Sequence, residues 1–390
     1  MTLLNIGTYP PKQCGIATFS TDLRNSLIIN GNDVKIMAVS DEGDYKYPRE
    51  VIYNLRQHQK QDYIKAAAFI NASPAIRLVL IQHEYGIFGG NDGEYILELV
   101  RLLHKPYILI THTVLPRPSK QQKQILNILC DRASAIVCMT RNSAELLADL
   151  YEAPPEIINV IAHGVPKFKK YPANVLKQKY GLEKREIIST FGLLGPGKGL
   201  ELGIQAIARV AKEYPQILFL ILGQTHPVLK RHEGEKYRLM LESMIQDLHL
   251  ESHVKFVNKY LSDEEIGEYL GLTDIYLSPY PNKDQAVSGT LAFAVGCGRA
   301  IISTSYAHAR EVLRDGRGLL AKEADPDELA ALIKQILGNH KLKKELQRKA
   351  SELGQTWTWP SIGSQYTSLF SKLLDDNLLG DESSINYVGL

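Results

Sequence analysis

A glycine-rich turn in the second half of the chain has the residue types that bind phosphate. Residues 191–199 (FGLLGPGKG) follow a strand-like run and lead into an amphipathic helical pattern. Glycines such as Gly192 let backbone amides approach a phosphate, the helix dipole favours its charge, and Lys198 adds a cation. The spacing is not that of an ATP-hydrolysing phosphate loop. An ordinary turn with a surface lysine is the alternative interpretation.

A second turn of this kind, residues 278–290 (SPYPNKDQAVSGT), also lies between a strand and a helix. Ser288, Gly289 and Thr290 would present a hydroxyl and free amides at the helix start, which suits a second phosphate. A simple N-cap by Ser288 would explain the serine equally well. Two such turns in one half of the chain favour a diphosphate as the ligand.

Histidines mark the first half of the chain. His83 and His112 each come at the carboxyl end of a strand-like run, where ligands bind in open α/β sheets. His163 lies in a linker-like segment, where a role in a hinge or cleft floor competes with a plain turn. The first turn, residues 7–15, joins a strand to a helix but lacks the dinucleotide-binding glycine pattern, which argues against a dehydrogenase.

The elements that must position these residues alternate regularly. Apolar, β-branched runs between helix-period stretches predict parallel strands that are buried on both faces. The predicted strands are 2–7, 33–39, 78–82, 107–111, 135–139, 157–161, 187–191, 217–222, 254–257, 275–278 and 300–303, and the predicted helices are 17–29, 62–71, 94–103, 142–151, 200–214, 235–248, 289–295 and 361–374. The pattern breaks near residue 166 and restarts. We therefore predict two Rossmann-like α/β domains, 1–166 and 167–360, facing each other across a central cleft.

Composition narrows the class of protein. A chain of 390 residues is long enough for two cores, and 45 basic against 43 acidic residues give no support for a nucleic-acid partner. Four scattered cysteines indicate neither disulfides nor a zinc site and favour the cytoplasm. No apolar run is long enough to span a membrane. The lysine-rich segment 167–185 predicts a solvated linker, with weak docking to an anionic membrane surface as the alternative.

Taken in order, these segments resemble the retaining family-4 glycosyltransferases of the GT-B fold. The resemblance extends over nearly the whole chain. It rests on PPKQCGIATF at 10–19, TH at 111–112, HGV at 163–165, the 191–199 loop, LGQTHP at 222–227, VKFVNKY at 254–260 and the aromatic-led helix of 357–374. The resemblance implies that helix 361–376 crosses back to the first domain.

The resemblance also implies a function for each domain. The second would bind the nucleotide sugar and the first the acceptor. The diphosphate would bind Gly192, Lys198, Ser288, Gly289 and Thr290, and the base Val257 and Tyr260. His112 would lie beside the transferred sugar, with Gly15 close beneath it, and the other substrate contacts would be Gln13, His83, Glu84, His163 and His226.

Three departures from the family pattern concern the reaction itself. Leu193 and Leu194 stand where the family has an arginine, and Gln285 and Phe293 stand at its paired glutamates. Gln285 can hydrogen-bond a sugar hydroxyl, so we predict it as catalytic beside His112 and Lys198, although it carries no charge. The residues that could replace the arginine are His226 and Arg238.

The expected activity is retaining transfer of a mannose- or glucose-type hexosyl group from a nucleotide-diphosphate sugar such as GDP-mannose to a glycan or small acceptor in polysaccharide biosynthesis. No cofactor is expected. No D-x-D motif stands at a strand end, so the reaction is expected to need no metal. Two alternatives stay open: a glycoside phosphorylase on the same fold, and a non-catalytic protein that binds sugar nucleotides or glycans.

Overall fold

The chain divides into two compact units. The structure, a computed structural model, describes residues 2–41 and 45–383, from 375 onward by backbone alone. The first unit runs to Gly164 and takes in the chain again from Trp359, and the second unit is Val165–Thr358. Both divisions fall two residues ahead of the positions expected from the sequence, 166/167 and 360/361.

The first unit is built on a seven-stranded parallel sheet of order β3-β2-β1-β4-β5-β6-β7. Its strands are β1 (Thr2–Gly7), β2 (Asp33–Ser40), β3 (Val51–Arg56), β4 (Ile76–His83), β5 (Tyr107–Thr111), β6 (Ala135–Cys138) and β7 (Ile158–Val160). The helices between them are α1 (Gly15–Ile29), α2 (Lys60–Ala72), α3 (Ile96–Leu102), α4 (Lys120–Asp131) and α5 (Arg141–Asp149). The strand order reverses between β1 and β4, which is where such sheets bind ligands.

The second unit repeats the plan with a six-stranded parallel sheet of order β10-β9-β8-β11-β12-β13. Its strands are β8 (Glu186–Phe191), β9 (Ile217–Leu222), β10 (Val254–Val257), β11 (Ile275–Ser278), β12 (Ala300–Thr304) and β13 (Leu319–Ala321). Its helices are α6 (Ala173–Lys179), α7 (Leu200–Val210), α8 (Pro227–Glu233), α9 (Lys236–Asp247), α10 (Asp263–Leu272), α11 (Gly289–Gly296), α12 (Ala307–Val312), α13 (Pro326–Leu337) and α14 (His340–Thr356). Here the order reverses between β8 and β11.

The final helix, α15 (Trp359–Ser383), belongs to the first unit and packs on α1. Gly363 has no side chain at the closest approach to Ser26, whose hydroxyl donates to the carbonyl of Trp359. Asn32 Nδ2 donates to Thr367 Oγ1 at 2.9 Å. The return of this helix to the first unit agrees with the expectation, but the helix is longer at both ends than the predicted 361–376.

The predicted fold class is confirmed, because both units are Rossmann-like α/β layers with parallel sheets. The central strands are apolar and buried, as β5 and β9 are throughout their lengths, which is why the sequence pattern reveals them. Elements that the pattern missed include the half-exposed edge strand β3 and the short strand β13. Within the described residues, no helix is both long and apolar enough to cross a bilayer.

The interpretation of the lysine-rich segment as a linker is wrong for much of its length. Residues 173–179 form α6, which packs against α10. Lys177 pairs with Asp274 at 2.6 Å, and Lys179 pairs with Glu268 at 2.6 Å. These lysines therefore bind carboxylates of their own unit.

Candidate functional site

Three loops meet at the carboxyl ends of β8, β9 and β10. The amide of Gly192 donates to the carbonyl of Leu222 at 2.9 Å, and the amide of Gly223 donates to the carbonyl of Val257 at 3.0 Å. Gly223 has φ +134°, and a Cβ there would overlap the carbonyl oxygen of Gly192. Only glycine allows the two backbones to approach this closely.

The glycine-rich loop also pairs with the segment that leads into α8. Leu194 N donates to Gln224 O at 2.8 Å, and His226 N donates to Leu194 O at 2.9 Å. His226 then caps α8, since its Nδ1 accepts from Val228 N at 3.2 Å. Burial lowers the pKa of His226, and so do the charges of Lys198 and Arg231. The structure thus brings His226 to the glycine-rich loop.

Arg238, the other candidate to replace the arginine of the family pattern, pairs with two neighbouring glutamates. Its guanidinium pairs with Glu235 at 3.2 Å and with Glu242 at 2.5 Å. Glu235 also accepts from Thr225 Oγ1. Of the two candidates, His226 is the one whose backbone bonds directly to the glycine-rich loop.

Lys198 and the start of α11 share a network of hydrogen bonds. Lys198 Nζ donates to Tyr280 Oη at 3.0 Å and lies 4.5 Å from the centre of that ring. Tyr280 Oη is 2.9 Å from Thr290 Oγ1, which is 3.1 Å from Ser288 Oγ. Gly199 has φ +59°, and a Cβ there would overlap the carbonyl of the residue before Tyr280. The two predicted phosphate turns therefore form one site, joined by a tyrosine that the sequence prediction missed.

Ser288, at the start of α11, uses both its hydroxyl and its backbone amide in hydrogen bonds within the protein. Ser288 Oγ accepts from Leu291 N at 3.2 Å, so it is the N-cap, and Ser288 N donates to His308 Nδ1 at 2.8 Å. The prediction of a free Ser288 amide is therefore wrong. The amides of Gly289 and Thr290 lie in the first turn, which has no intrahelical acceptors, and they can face an anion.

Neither replacement at the glutamate positions joins the Lys198 network. The side chain of Gln285 donates through Nε2 to the carbonyl of Val287 at 2.7 Å. Phe293 is 6% exposed and packs its ring 5.8 Å from those of Phe168 and Phe191. A catalytic role for Gln285 stays a prediction, and position 293 belongs to the hydrophobic core.

The rest of the predicted nucleotide side is more open. A small open pocket is lined by the ends of β8 and β9 and by the glycine-rich loop, with Gly192, Leu194 and Lys198 among its lining residues. Val257 ends β10 half-buried, and Tyr260 is 46% exposed three residues later. A contact of these two residues with a base stays a prediction.

In the first unit, a buried row of amides leads to His112. Asn5 Oδ1 accepts from Gln82 Nε2 at 2.7 Å, and Gln82 Oε1 lies 2.8 Å from His112 Nε2. A Cβ at Gly7 would be 2.9 Å from the Gln82 side chain, so glycine leaves room for this row. Because Gln82 Oε1 accepts, Nε2 of the neutral imidazole carries the proton and Nδ1 is the acceptor. Asn5 and Gln82 could have indicated this row from the sequence, because each is a polar residue inside an otherwise apolar strand.

Two of the predicted substrate residues, His83 and His163, lie close to His112. Phe19 packs edge-on against His112 at 4.8 Å and against His163 at 5.2 Å between ring centres. His163 Nδ1 is 2.7 Å from Gly164 O. His83 O accepts from His112 N at 3.0 Å. Burial lowers the pKa of His112 to about 3, helped by His163 and His83, so this imidazole is neutral at physiological pH.

The other predicted residues of this unit lie on the loops that follow β1 and β4. Glu84 accepts from Tyr85 N at 3.0 Å and from the hydroxyl of Thr113, next to His112. Burial raises the pKa of Glu84. Gln13 is exposed just ahead of α1, and Gly15 is the first residue of that helix, with open space where a Cβ would stand.

No three histidine, cysteine, aspartate or glutamate side chains gather as metal ligands anywhere in the part of the chain whose side chains are described. The four cysteines are free thiols. The expected metal independence stays a prediction.

Comparison with protein families decides the classification. Residues 14–167 match the model of Glycosyltransferase Family 4, and residues 173–353 match that of Glycosyl transferases group 1. This chain belongs to glycosyltransferase family 4. The two matched segments fall within the first and second units respectively, apart from three residues at the boundary.

The relatives of this glycosyltransferase are distant. An uncharacterized glycosyltransferase of Methanocaldococcus jannaschii is 27% identical over 207 residues, which are 51% of this chain and 48% of the relative. The GDP-mannose-dependent alpha-(1-6)-phosphatidylinositol monomannoside mannosyltransferase of Mycolicibacterium smegmatis is 21% identical over 210 residues, 50% of each chain. The matches thus span about half the length of these relatives.

Among solved structures, Anabaena HepE in complex with UDP superposes on the glycosyltransferase with a TM-score of 0.78 at 18% identity. The superposition covers 95% of this chain and 100% of HepE. At this identity the likeness establishes the GT-B fold.

Buried histidines should make the first unit of the glycosyltransferase sensitive to acid. His83 is 1% exposed, its Nδ1 has no hydrogen-bond partner among the described residues, and burial lowers its pKa to about 4. The unfolded chain, with a histidine pKa of about 6.5, binds the proton first, so stability present above pH 6.5 is lost as the pH falls toward 4. We expect His83 alone to account for about 3 kcal/mol over that window.

The measurement is urea unfolding of the wild type and of His83→Leu between pH 7.5 and 4. The quantity compared is the slope of the unfolding free energy against pH, which does not depend on the absolute stability of either protein. An equally steep slope in the variant would rule out His83 as the source.

Proposed function

We propose that this chain transfers a mannose- or glucose-type hexosyl group from a nucleotide-diphosphate sugar to a glycan or small-molecule acceptor, with retention at the anomeric carbon and without a metal ion. The main support is the Lys198 network, which places one cation beside the first turn of α11 at the point where the strand order reverses. Family membership and the names of the relatives agree with a nucleotide-sugar donor.

The chemistry of the reaction fits these groups. Breaking the bond to the anomeric carbon builds negative charge on the leaving diphosphate and positive charge on the sugar. Lys198 and the amides of Gly289 and Thr290 are fixed in place before the reaction, so they would stabilise the diphosphate without reorganising. In this proposal they take the place that a metal ion has in other transferases.

His112 suits the sugar side of the same reaction. Its neutral ring adds no positive charge next to an oxocarbenium-like sugar, and its Nδ1 lone pair can accept a hydrogen bond from a sugar hydroxyl. Gln82 and Asn5 hold the ring in that tautomer. Glu84 and His163 would line the acceptor side.

Incubation with GDP-mannose, UDP-glucose and related donors tests the proposal directly. We expect release of nucleoside diphosphate from at least one donor, unchanged by EDTA, and an α-linked product from an α-linked donor by NMR. Loss of activity in EDTA would refute metal independence alone, and a β-linked product would refute retention alone. The absence of both turnover and thermal stabilisation with every donor would refute the transferase. Phosphate-dependent release of a sugar 1-phosphate would instead identify a phosphorylase.

A further inference from the structure

Tyr280 occupies the centre of the Lys198 network. It follows β11, is 3% exposed, and places its hydroxyl 3.0 Å from Lys198 Nζ and 2.9 Å from Thr290 Oγ1. Within residues 2–41 and 45–374, where side chains are described, Lys198 forms no ion pair with a carboxylate, so the phenol is its principal polar partner. Tyr280 therefore occupies the position beside Lys198 where a carboxylate counter-ion would otherwise be expected.

Contacts of its ring and its backbone fix the position of the Tyr280 phenol. The rings of Tyr280 and Tyr306 stack 5.2 Å apart at 17°, and Tyr306 Oη is 2.8 Å from Ser278 Oγ. The carbonyl of Tyr280 also accepts from Thr304 Oγ1. With its ring and backbone held in this way, the hydroxyl stays between the lysine and the first turn of α11.

A phosphate bound by Lys198 and by the amides of Gly289 and Thr290 would lie within reach of this hydroxyl, because it already touches the lysine and the threonine side chain. We propose that Tyr280 is a further ligand of the diphosphate. Its hydroxyl accepts a hydrogen bond from Lys198 in the free protein and donates a hydrogen bond to a phosphate oxygen when nucleotide binds. This inference rests on the diphosphate site of the proposed function. It adds a group that neither the glycine-rich loop nor the helix start contains.

The protonation of Tyr280 should then control nucleotide binding. Burial acts to raise the pKa of Tyr280, but the charge and hydrogen bond of Lys198, with the Thr290 and Ser288 hydroxyls, outweigh it and lower the pKa below that of a free phenol. The other titratable groups that face it are Tyr276 and Tyr306, which are held protonated by burial. A phenolate cannot donate and repels phosphate, so affinity should fall as pH rises through this pKa. A bound diphosphate should in turn suppress ionisation.

The test compares wild type with Tyr280→Phe, which keeps the stacked ring and removes one oxygen. Tyr269→Phe is the matched control, a buried tyrosine of α10 in the same unit that belongs to no part of the network. Binding of UDP, GDP and inorganic pyrophosphate is measured by calorimetry from pH 7 to 10. Tyrosinate absorbance at 295 nm is followed over the same range, with and without the best ligand.

We expect Tyr280→Phe to weaken binding about 10- to 100-fold at pH 7.5, the range for a hydrogen bond to a charged group. It should also remove one early-ionising tyrosine from the absorbance curve, the same one that ligand suppresses in wild type. Unchanged affinity and an unchanged absorbance curve in a folded Tyr280→Phe protein would overturn the role of Tyr280 alone. Failure of all three ligands to bind wild type would overturn the proposed function, and this inference with it.

Discussion

Replacement of Lys198 by methionine is expected to lower kcat/KM for sugar transfer about 100- to 1000-fold, the usual effect of removing one charge-stabilising group from a transition state. The structural reason is that Lys198 is the cation of the network at the start of α11. Methionine keeps the length and most of the apolar stem of the side chain. Because the hydrogen bond that Lys198 forms within the described part of the chain is to a neutral phenol, thermal stability should change little.

The measurement is initial-rate kinetics with the donor found in the panel, beside calorimetric binding of its nucleoside diphosphate. Lys212→Met is the matched control, an exposed lysine just past α7 in the same unit. The control should retain wild-type kinetics. If the Lys198→Met enzyme had rates and affinity close to those of wild type, Lys198 would have no role in the reaction. The proposed diphosphate site would then have no functional cation.

Replacement of Gly223 by alanine should disrupt the site through the backbone. The residue has φ +134°, and its Cβ would overlap the carbonyl oxygen of Gly192, so the loops after β8 and β9 would have to separate. A sparsely populated backbone conformation costs about 1–3 kcal/mol, and steric overlap adds about 1–3 kcal/mol. We expect the unfolding free energy of the second unit to fall by roughly their sum, with nucleotide binding weakened more than stability alone explains.

Gly197→Ala is a stringent control, because it changes a glycine of the same glycine-rich loop. A Cβ at Gly197 meets no protein atom within 4 Å, so this variant should be as stable as wild type. Chemical denaturation and calorimetry distinguish the two variants. If Gly223→Ala were as stable and as active as Gly197→Ala, the close contact between the two loops would have no bearing on the site.

Local patterns made the fold and the glycine-rich loop predictable. A buried parallel strand is an uninterrupted apolar run, and a strand-glycine-helix turn is contained in about a dozen residues, so β8 and Lys198 stand out in the sequence alone. Tyr280 and His308 do not, because their roles arise from contacts with residues distant in the chain. A tyrosine after a strand has no distinctive pattern before folding brings it to the lysine.

The two wrong predictions, on the lysine-rich segment 167–185 and on the Ser288 amide, also have physical causes. The lysine-rich segment was interpreted from composition, which cannot reveal that Asp274 and Glu268 lie opposite Lys177 and Lys179. The amide of Ser288 was predicted free because its acceptor, the imidazole of His308, stands on the next helix. In the first unit, Gln82 could have been noted, since an amide inside an apolar strand must find a polar partner.

The placement of α15 in the first unit has a consequence for the order in which the chain is made. The first unit is discontinuous in sequence, and all of Val165–Thr358 is translated between its two parts. The second unit is continuous, and its ends meet where Val165 N donates to Trp357 O at 2.8 Å. On the ribosome the second unit can therefore complete its sheet and helices while Phe19 and Ser26 of the first still lack the cover that Trp359 gives them. The unit whose synthesis begins first cannot finish folding until α15, the last helix, has been made.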